Sequence, residues 1–222
     1  MNHSDKIQLH NTMSANLLAI QSNKLSFKQQ QLKFRENAIL DAVNKLLAQK
    51  GFDLMTMDEV AADVGIAKAS LYKHFESKEA LAAASMTRLL EDALTVVESM
   101  SDKLAAIDKL KALVKWGIKL HLGGTMPLLP STRSSIQQSL LTNPPYMAKL
   151  GALTEKLGEW INEAQLAGTL TPSLPGEVIL YTIFARSCDP VADFLKMGGA
   201  FSDEDIVELL IHTTFQGMTG RI

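Results

Sequence analysis

The stretch Met57–His74, MDEVAADVGIAKASLYKH, decides how this chain is read. Val60, Ala61 and Val64 recur at one and three positions, giving a short helix one apolar face, with the small Ala61 where a second helix must cross closely. Gly65 supplies a residue that tolerates a tight, left-handed turn, and Ile66 and Leu71 are apolar plugs for the angle between two helices. The second helix then leaves Lys68, Ala69, Ser70, Tyr72 and Lys73 facing outward. Such a mixture of donors and small residues lets a backbone approach the major groove of DNA. Taken alone, two short amphipathic helices at a glycine turn also describe ordinary core, so the flanks matter.

Upstream, Phe34, Ala38, Ile39, Ala42, Val43, Leu46 and Leu47 predict an amphipathic helix from about Leu32 to Gly51. Thr56, with Glu59 three residues on, reads as a capping box opening a helix through Val64. Lys68–Phe75 reads as the next helix, and Ser77 as the cap of a longer one. Beyond Lys78 every segment has helical periodicity: Lys78–Ser99, Ser101–Leu122, Pro127–Leu141, Pro145–Ala167, Pro175–Met197 and Asp203–Thr219, punctuated by glycines, prolines and Asn143. The expected fold is all-α with about nine helices. Residues 1–30, polar and aperiodic, are expected to be a flexible arm; 31–77 a three-helix DNA-binding domain; and 78–222 a helical ligand-binding and dimerisation domain.

The wider run from Ile39 through GFDLMTMDEVAADVGIAKASLYKHFESKEAL resembles the DNA-binding domain of the tetracycline-repressor (TetR) family, in its Gly-Phe, Thr-Met, Val-Gly-Ile and Leu-Tyr-Lys-His-Phe elements. The resemblance covers about fifty residues; the rest of the chain is similar to the family only in length and helical layout. It implies a transcriptional repressor that binds a palindromic operator in double-stranded DNA as a homodimer and is released by a small-molecule inducer. On matching positions it implies phosphate contacts from Thr56, Tyr72, Lys73, His74 and Lys78, and base reading by Lys68, Ala69 and Ser70, with Lys68 set against guanine. The long N-terminal extension departs from the family, and Lys24, Lys28, Lys33 and Arg35 would suit an adjacent minor groove if it is not idle.

The same resemblance places a dimer interface in Pro175–Met197 and Asp203–Thr219, through residues such as Val178, Ile179, Ile183, Phe184, Val207, Leu210, Ile211, Phe215 and Met218. It also puts a ligand cavity among the preceding helices. The expected lining is Trp116, Leu120, His121, Met126, Ile136, Leu140, Tyr146, Leu150, Trp160 and Phe184, with Leu89, Leu113, Leu129, Leu153 and Leu157 as further apolar walls. Trp116, His121 and Tyr146 join an apolar body to a polar tip, so the ligand is expected to be apolar or aromatic. Arg133 or Arg186 would anchor a carboxylate if one is present; an ion pair is the plainer expectation for either.

Composition narrows the field further. The chain has 222 residues and a formal charge of -2, so any pull toward DNA must be local, and Lys68–Lys78 is such a patch, with three lysines and His74 against Glu76 alone. No stretch approaches the roughly 20 apolar residues of a membrane span, and no export leader is recognisable, which reads as cytoplasmic. A single cysteine, Cys188, reads as a small buried apolar residue and offers no metal cluster. Nucleophile-elbow, phosphate-loop, dinucleotide and zinc-helix motifs are missing, so neither an enzyme nor a cofactor is expected. The rival reading keeps the DNA-binding domain but acts as an activator, or through a protein partner, without an inducer.

Overall fold

The computed structural model describes residues 26–127 and 134–218, and among these every regular element is an α-helix. The chain divides into two compact units, residues 1–38 and 39–222. The helices are α1 Phe27–Leu54, α2 Met57–Val64, α3 Lys68–Leu71, α4 Lys78–Ser99, α5 Ala106–Leu122, α6 Ile136–Leu141, α7 Pro144–Leu166, α8 Gly176–Arg186, α9 Pro190–Gly198 and α10 Asp203–Gln216. No helix among the described residues is long and apolar enough to cross a membrane.

α1 starts earlier than the expected Leu32. Ser26 and Gln29 form a reciprocal cap, Gln29 donating its N–H to Ser26 Oγ at 3.3 Å and Ser26 donating its N–H to Gln29 Oε1 at 2.8 Å. This cap satisfies two otherwise unpaired amides, and the Gln-rich stretch behind it has good helix propensity. The expected arm of residues 1–30 therefore gives way to helix at Phe27; residues 1–25, including Lys24, lie outside the described part.

Residues 39–222 hold two apolar clusters. One gathers Ile39, Val43, Phe52, Val60, Leu71 and Leu81. Ile136 and Leu140 of α6 belong to it as well, so a helix more than fifty residues downstream completes the core around the glycine-hinged pair α2 and α3. Burying each of those two side chains contributes about 2 kcal/mol. The other cluster joins α4, α5, α7, α8 and α10 through Val97, Leu110, Val114, Leu157, Ile161, Ile183 and Ile206.

Two expected helices are corrected. Pro175–Met197 is not continuous: α8 ends at Arg186, and Asp189 caps α9, accepting the Val191 N–H at 3.0 Å. Pro190 has no N–H to donate and its ring clashes with the preceding turn, which breaks one helix and suits the start of the next. The segment expected to begin at Pro127 yields α6 only from Ile136, with residues 128–133 outside the description.

Candidate functional site

The Thr56 capping box is complete: Thr56 Oγ1 accepts the Glu59 N–H at 3.3 Å, and Glu59 Oε2 accepts the Thr56 N–H at 3.0 Å. The Thr56 hydroxyl also donates to Glu59 at 2.8 Å. Lys50, and next the Thr56 hydroxyl, hold the Glu59 carboxyl below its ordinary value. The N-terminus of α2, where an anion was expected, thus already carries a carboxylate of its own.

Gly65 ends α2 in the left-handed region at φ 74°, ψ 34°, a conformation that would strain any side chain with a Cβ. Its N–H bonds Ala62 O at 3.2 Å while the Ile66 N–H returns to Ala61 O at 3.0 Å, folding the chain back into α3. Expected to run to Phe75, α3 is regular only through Leu71. It then tightens, with Lys73 donating its N–H to Ser70 O and His74 to Leu71 O, the spacing of a 3₁₀ turn.

Lys68, Ala69, Tyr72 and Lys73 are all exposed, Ser70 and His74 are half-buried, and Leu71 is fully buried beneath them. Lys68 is not idle: its Nζ pairs with Asp58 Oδ2 at 2.8 Å, which holds the ammonium above its ordinary value. Lys50 and Lys45 likewise pair with Glu59 and Asp63, so the three acids of α2 each hold a lysine. Lys73 has no such partner among the described residues. Lys78, half-buried, donates to Phe52 O at 2.9 Å and Met55 O at 3.1 Å, with its Nζ 4.1 Å from the Phe52 ring centroid. It shares Phe52 O with the Met55 N–H, takes up Met55 O just beyond the end of α1, and so ties that end to the start of α4. Sequence reasoning missed these pairings, since Lys68 and Asp58 stand ten positions apart and follow no local spacing rule.

The body contains a cavity of about 130 Å³. Of the residues expected to line it, Trp116, Met126, Tyr146, Leu150 and Phe184 do so, as do Leu89, Leu113 and Leu153. Leu120, His121, Ile136, Leu140, Leu157 and Trp160 do not. Ile136 and Leu140 face the other core; His121 turns to α9, its Nε2 3.1 Å from Asp193 Oδ2; and Leu157 is sealed in the body core. A face of α6 with period four reads the same from sequence whether it meets a ligand or a neighbouring helix. Met86, Leu90, Ala93, Pro127, Ile183, Ser187 and Cys188 complete the lining, Cys188 half-buried instead of sealed. Among the described residues no charged side chain lines the cavity, and burial pushes the Tyr146 phenol up, keeping it neutral. Arg186 pairs with Asp189 across the α8–α9 junction; Leu129 and Arg133 lie outside the described residues.

Two features link the cavity and the core beneath α2 and α3. Met86 lines the former and is buried in the latter, and Tyr146 lines the cavity while packing against the same core. Asp53, at the end of α1, accepts hydrogen bonds from Ser135 Oγ at 3.0 Å and Ser134 Oγ at 3.1 Å, just ahead of α6. Those hydroxyls, Ser135 foremost, and Lys78 lower the Asp53 carboxyl.

Residues 39–85 match the family model described as bacterial regulatory proteins, tetR family. A 46-residue stretch is 44% identical to the biofilm operon icaADBC negative transcriptional regulator IcaR of Staphylococcus aureus (strain Newman), covering 21% of this chain and 25% of that protein. The uncharacterized HTH-type transcriptional regulator YerO of Bacillus subtilis is 31% identical over 71 residues, covering 32% of this chain and 25% of YerO. The chain thus aligns with only about a quarter of the length of these curated relatives. Solved structures share the fold over more of the chain. FadR from Bacillus subtilis, in complex with stearoyl-CoA, superposes with a TM-score of 0.60 at 17% identity, covering 82% of this chain and 98% of that one. AibR, in complex with isovaleryl coenzyme A and operator DNA, gives 0.57 at 23% identity, covering 82% and 98%.

Proposed function

We propose that this chain, whose residues 39–85 are a TetR-family DNA-binding domain, is a transcriptional repressor that holds a palindromic operator as a homodimer and lets go when a small apolar ligand enters the body. The observation that carries the reading is the exposed face of α3, with Lys68, Ala69, Tyr72 and Lys73 outward over the buried Leu71. In this reading Lys68, Ala69 and Ser70 meet base edges, while Tyr72, Lys73 and His74 meet phosphates. Thr56 and Lys78 act mainly by fixing α2 and α4; both Thr56 donors are taken by Glu59, whereas Lys78 keeps one N–H with which to reach a phosphate.

One α3 contacts few base pairs, so two must enter successive major grooves about 34–36 Å apart. Val178 and Tyr181 on α8 and Leu209 on α10 are exposed apolar residues suited to joining two copies, whereas Ile179, Ile183, Val207 and Leu210 on the same helices are buried inside the protomer. The cavity volume is close to that of engineered sites of about 150 Å³ that accept benzene, and its walls favour a neutral apolar or short acyl group. The acyl-CoA ligands of FadR and AibR are compatible with that preference at their acyl ends. Entry of such a group beside Met86 and Tyr146 favours a conformer in which α4 is displaced, and α6 and the Asp53 clasp carry the displacement to the DNA-binding core.

Selection of bound sequences from random duplex DNA tests the proposal. A palindrome with half-sites one helical turn apart is expected; failure to enrich any sequence at low salt would overturn it. If operator binding is found but is unmoved by every ligand that binds the cavity, the adaptor reading replaces the inducer.

A further inference from the structure

A second cleft, of about 350 Å³, lies between the end of α4, the start of α5 and the middle of α7, and shares no lining residue with the cavity described above. Its apolar walls are Leu94, Val97, Met100 and Trp160. Facing them is Lys109, only 9% exposed and without a hydrogen bond or carboxylate partner among the described residues. What its ammonium does have is the Trp160 ring, 5.6 Å away at the centroid. A ring face attracts a cation but takes up none of the hydrogen-bonding capacity that a charged acceptor would, so the three N–H donors are left to water. No sealed polar side-chain atom among the described residues lacks a partner, so the Lys109 Nζ is wetted, and the cleft is what wets it.

We propose that this cleft binds a small organic monocarboxylate, with Lys109 as its counter-charge and Trp160 as the wall for its apolar body. An incoming carboxylate replaces the water on those donors with charge-assisted hydrogen bonds, which are stronger than the neutral ones they displace. The rim sets the charge limit. Glu98 and Asp102 line the same cleft, and the remaining lysine, Lys156, is held by Glu159 at 2.7 Å and feels Asp102. Acids at the mouth repel dianions and phosphates, while one buried cation favours a single negative charge. A volume in the usual range for small-molecule sites leaves room for an aromatic ring or a short chain.

The two tryptophans separate the two sites, because Trp116 lines the first cavity and Trp160 the second. In full-length Trp116→Phe protein, emission from Trp160 is followed during titration with benzoate, its neutral isostere benzamide and the dianion phthalate. Benzoate is expected to saturate the signal, with benzamide and phthalate each weaker by about tenfold or more; Lys109→Met should weaken benzoate by a similar factor, and Lys109→Arg should retain it. Equal response to benzoate and benzamide, no saturation with benzoate, or unchanged benzoate binding in a folded Lys109→Met protein would each overturn the proposal. If Lys109→Met does not fold, the benzoate, benzamide and Lys109→Arg titrations decide it. None of these readouts depends on operator binding.

Discussion

The DNA-binding segment and the body are stabilised by different chemistry. In the former, the two short helices α2 and α3 are held against α1 and α4 by the Thr56 capping box, by lysine pairs to Asp58, Glu59 and Asp63, and by Lys78 on the carbonyls of Phe52 and Met55. In the body, longer helices meet through a larger apolar cluster. Short helices bury few side chains each, so polar closure must supply orientation. Long helices obtain orientation from packing and leave space for cavities. The polar exposed face of α3 therefore sits on a core that shares Met86 and Tyr146 with the cavity and is completed by α6, which is the route the proposed function uses.

The sharpest way to break that contrast is to cut equal holes in the two cores. Leu71 and Leu157 are both fully buried. Each to Ala should cost about 2–5 kcal/mol in urea unfolding. Leu71→Ala should abolish operator binding well before global unfolding, because its loss undermines α3 directly; Leu157→Ala should lower the midpoint while DNA is still bound. Simultaneous loss of both properties in each variant would show that the segments do not differ in this way. Next in size is Thr56→Ala, which removes both hydroxyl bonds of the capping box and should cost about 1 kcal/mol by the same measurement.

The contrast also explains what sequence could reveal. The two ends of α2 were legible because a capping box and a left-handed glycine act within four residues, and the cap of α7 by Asn143, bonding the Tyr146 N–H at 3.0 Å, was legible for the same reason. All-helical architecture followed from periodicity. What stayed hidden is long-range: the burial of Ile136 and Leu140 in the DNA-binding core, the pairing of Lys68 with Asp58, and the separation of Trp160 from Trp116 into two sites. An apolar face declares that it is covered, not by what. The break at Asp189-Pro190 was a local signal that the apolar run through Val178–Met197 outweighed.

Acid titration sharpens the comparison. Asp53 and Glu59 have lowered carboxyls, so their contribution is present above the unfolded value of about 4 and is lost as pH falls through the lower folded value. Asp92 on α4 is shifted the other way, chiefly by burial; it favours its protonated form when folded, so its contribution grows as pH falls through that raised value. Asp205 in the capping box of α10 behaves like Glu59. Thermal melts should therefore lose stability mainly below about pH 4. Asp53→Asn should flatten that limb, and Asp92→Asn should flatten the gain above it. A limb unchanged in Asp53→Asn would remove the Ser134–Ser135 clasp from the account.

The smallest stability effect, and the most informative for function, belongs to Asp58. Its carboxylate lies on the solvent-facing side of α2 and holds Lys68 at 2.8 Å, yet in the proposed complex Lys68 must turn to guanine. An exposed ion pair adds little to stability and is screened by salt, so Asp58→Asn should leave the unfolding midpoint almost unchanged. It should strengthen DNA binding, because Lys68 no longer has to exchange a carboxylate for a base and one negative charge leaves the interface. Lys68→Ala should weaken binding to cognate DNA more than to random DNA, while Lys73→Ala should weaken both alike and flatten the salt dependence. In the double variant Asp58→Asn with Lys68→Ala, the gain from Asp58→Asn should shrink to its general charge effect. A full gain without Lys68 would show that the acid acts only through the overall field, and the pair would lose its place in recognition.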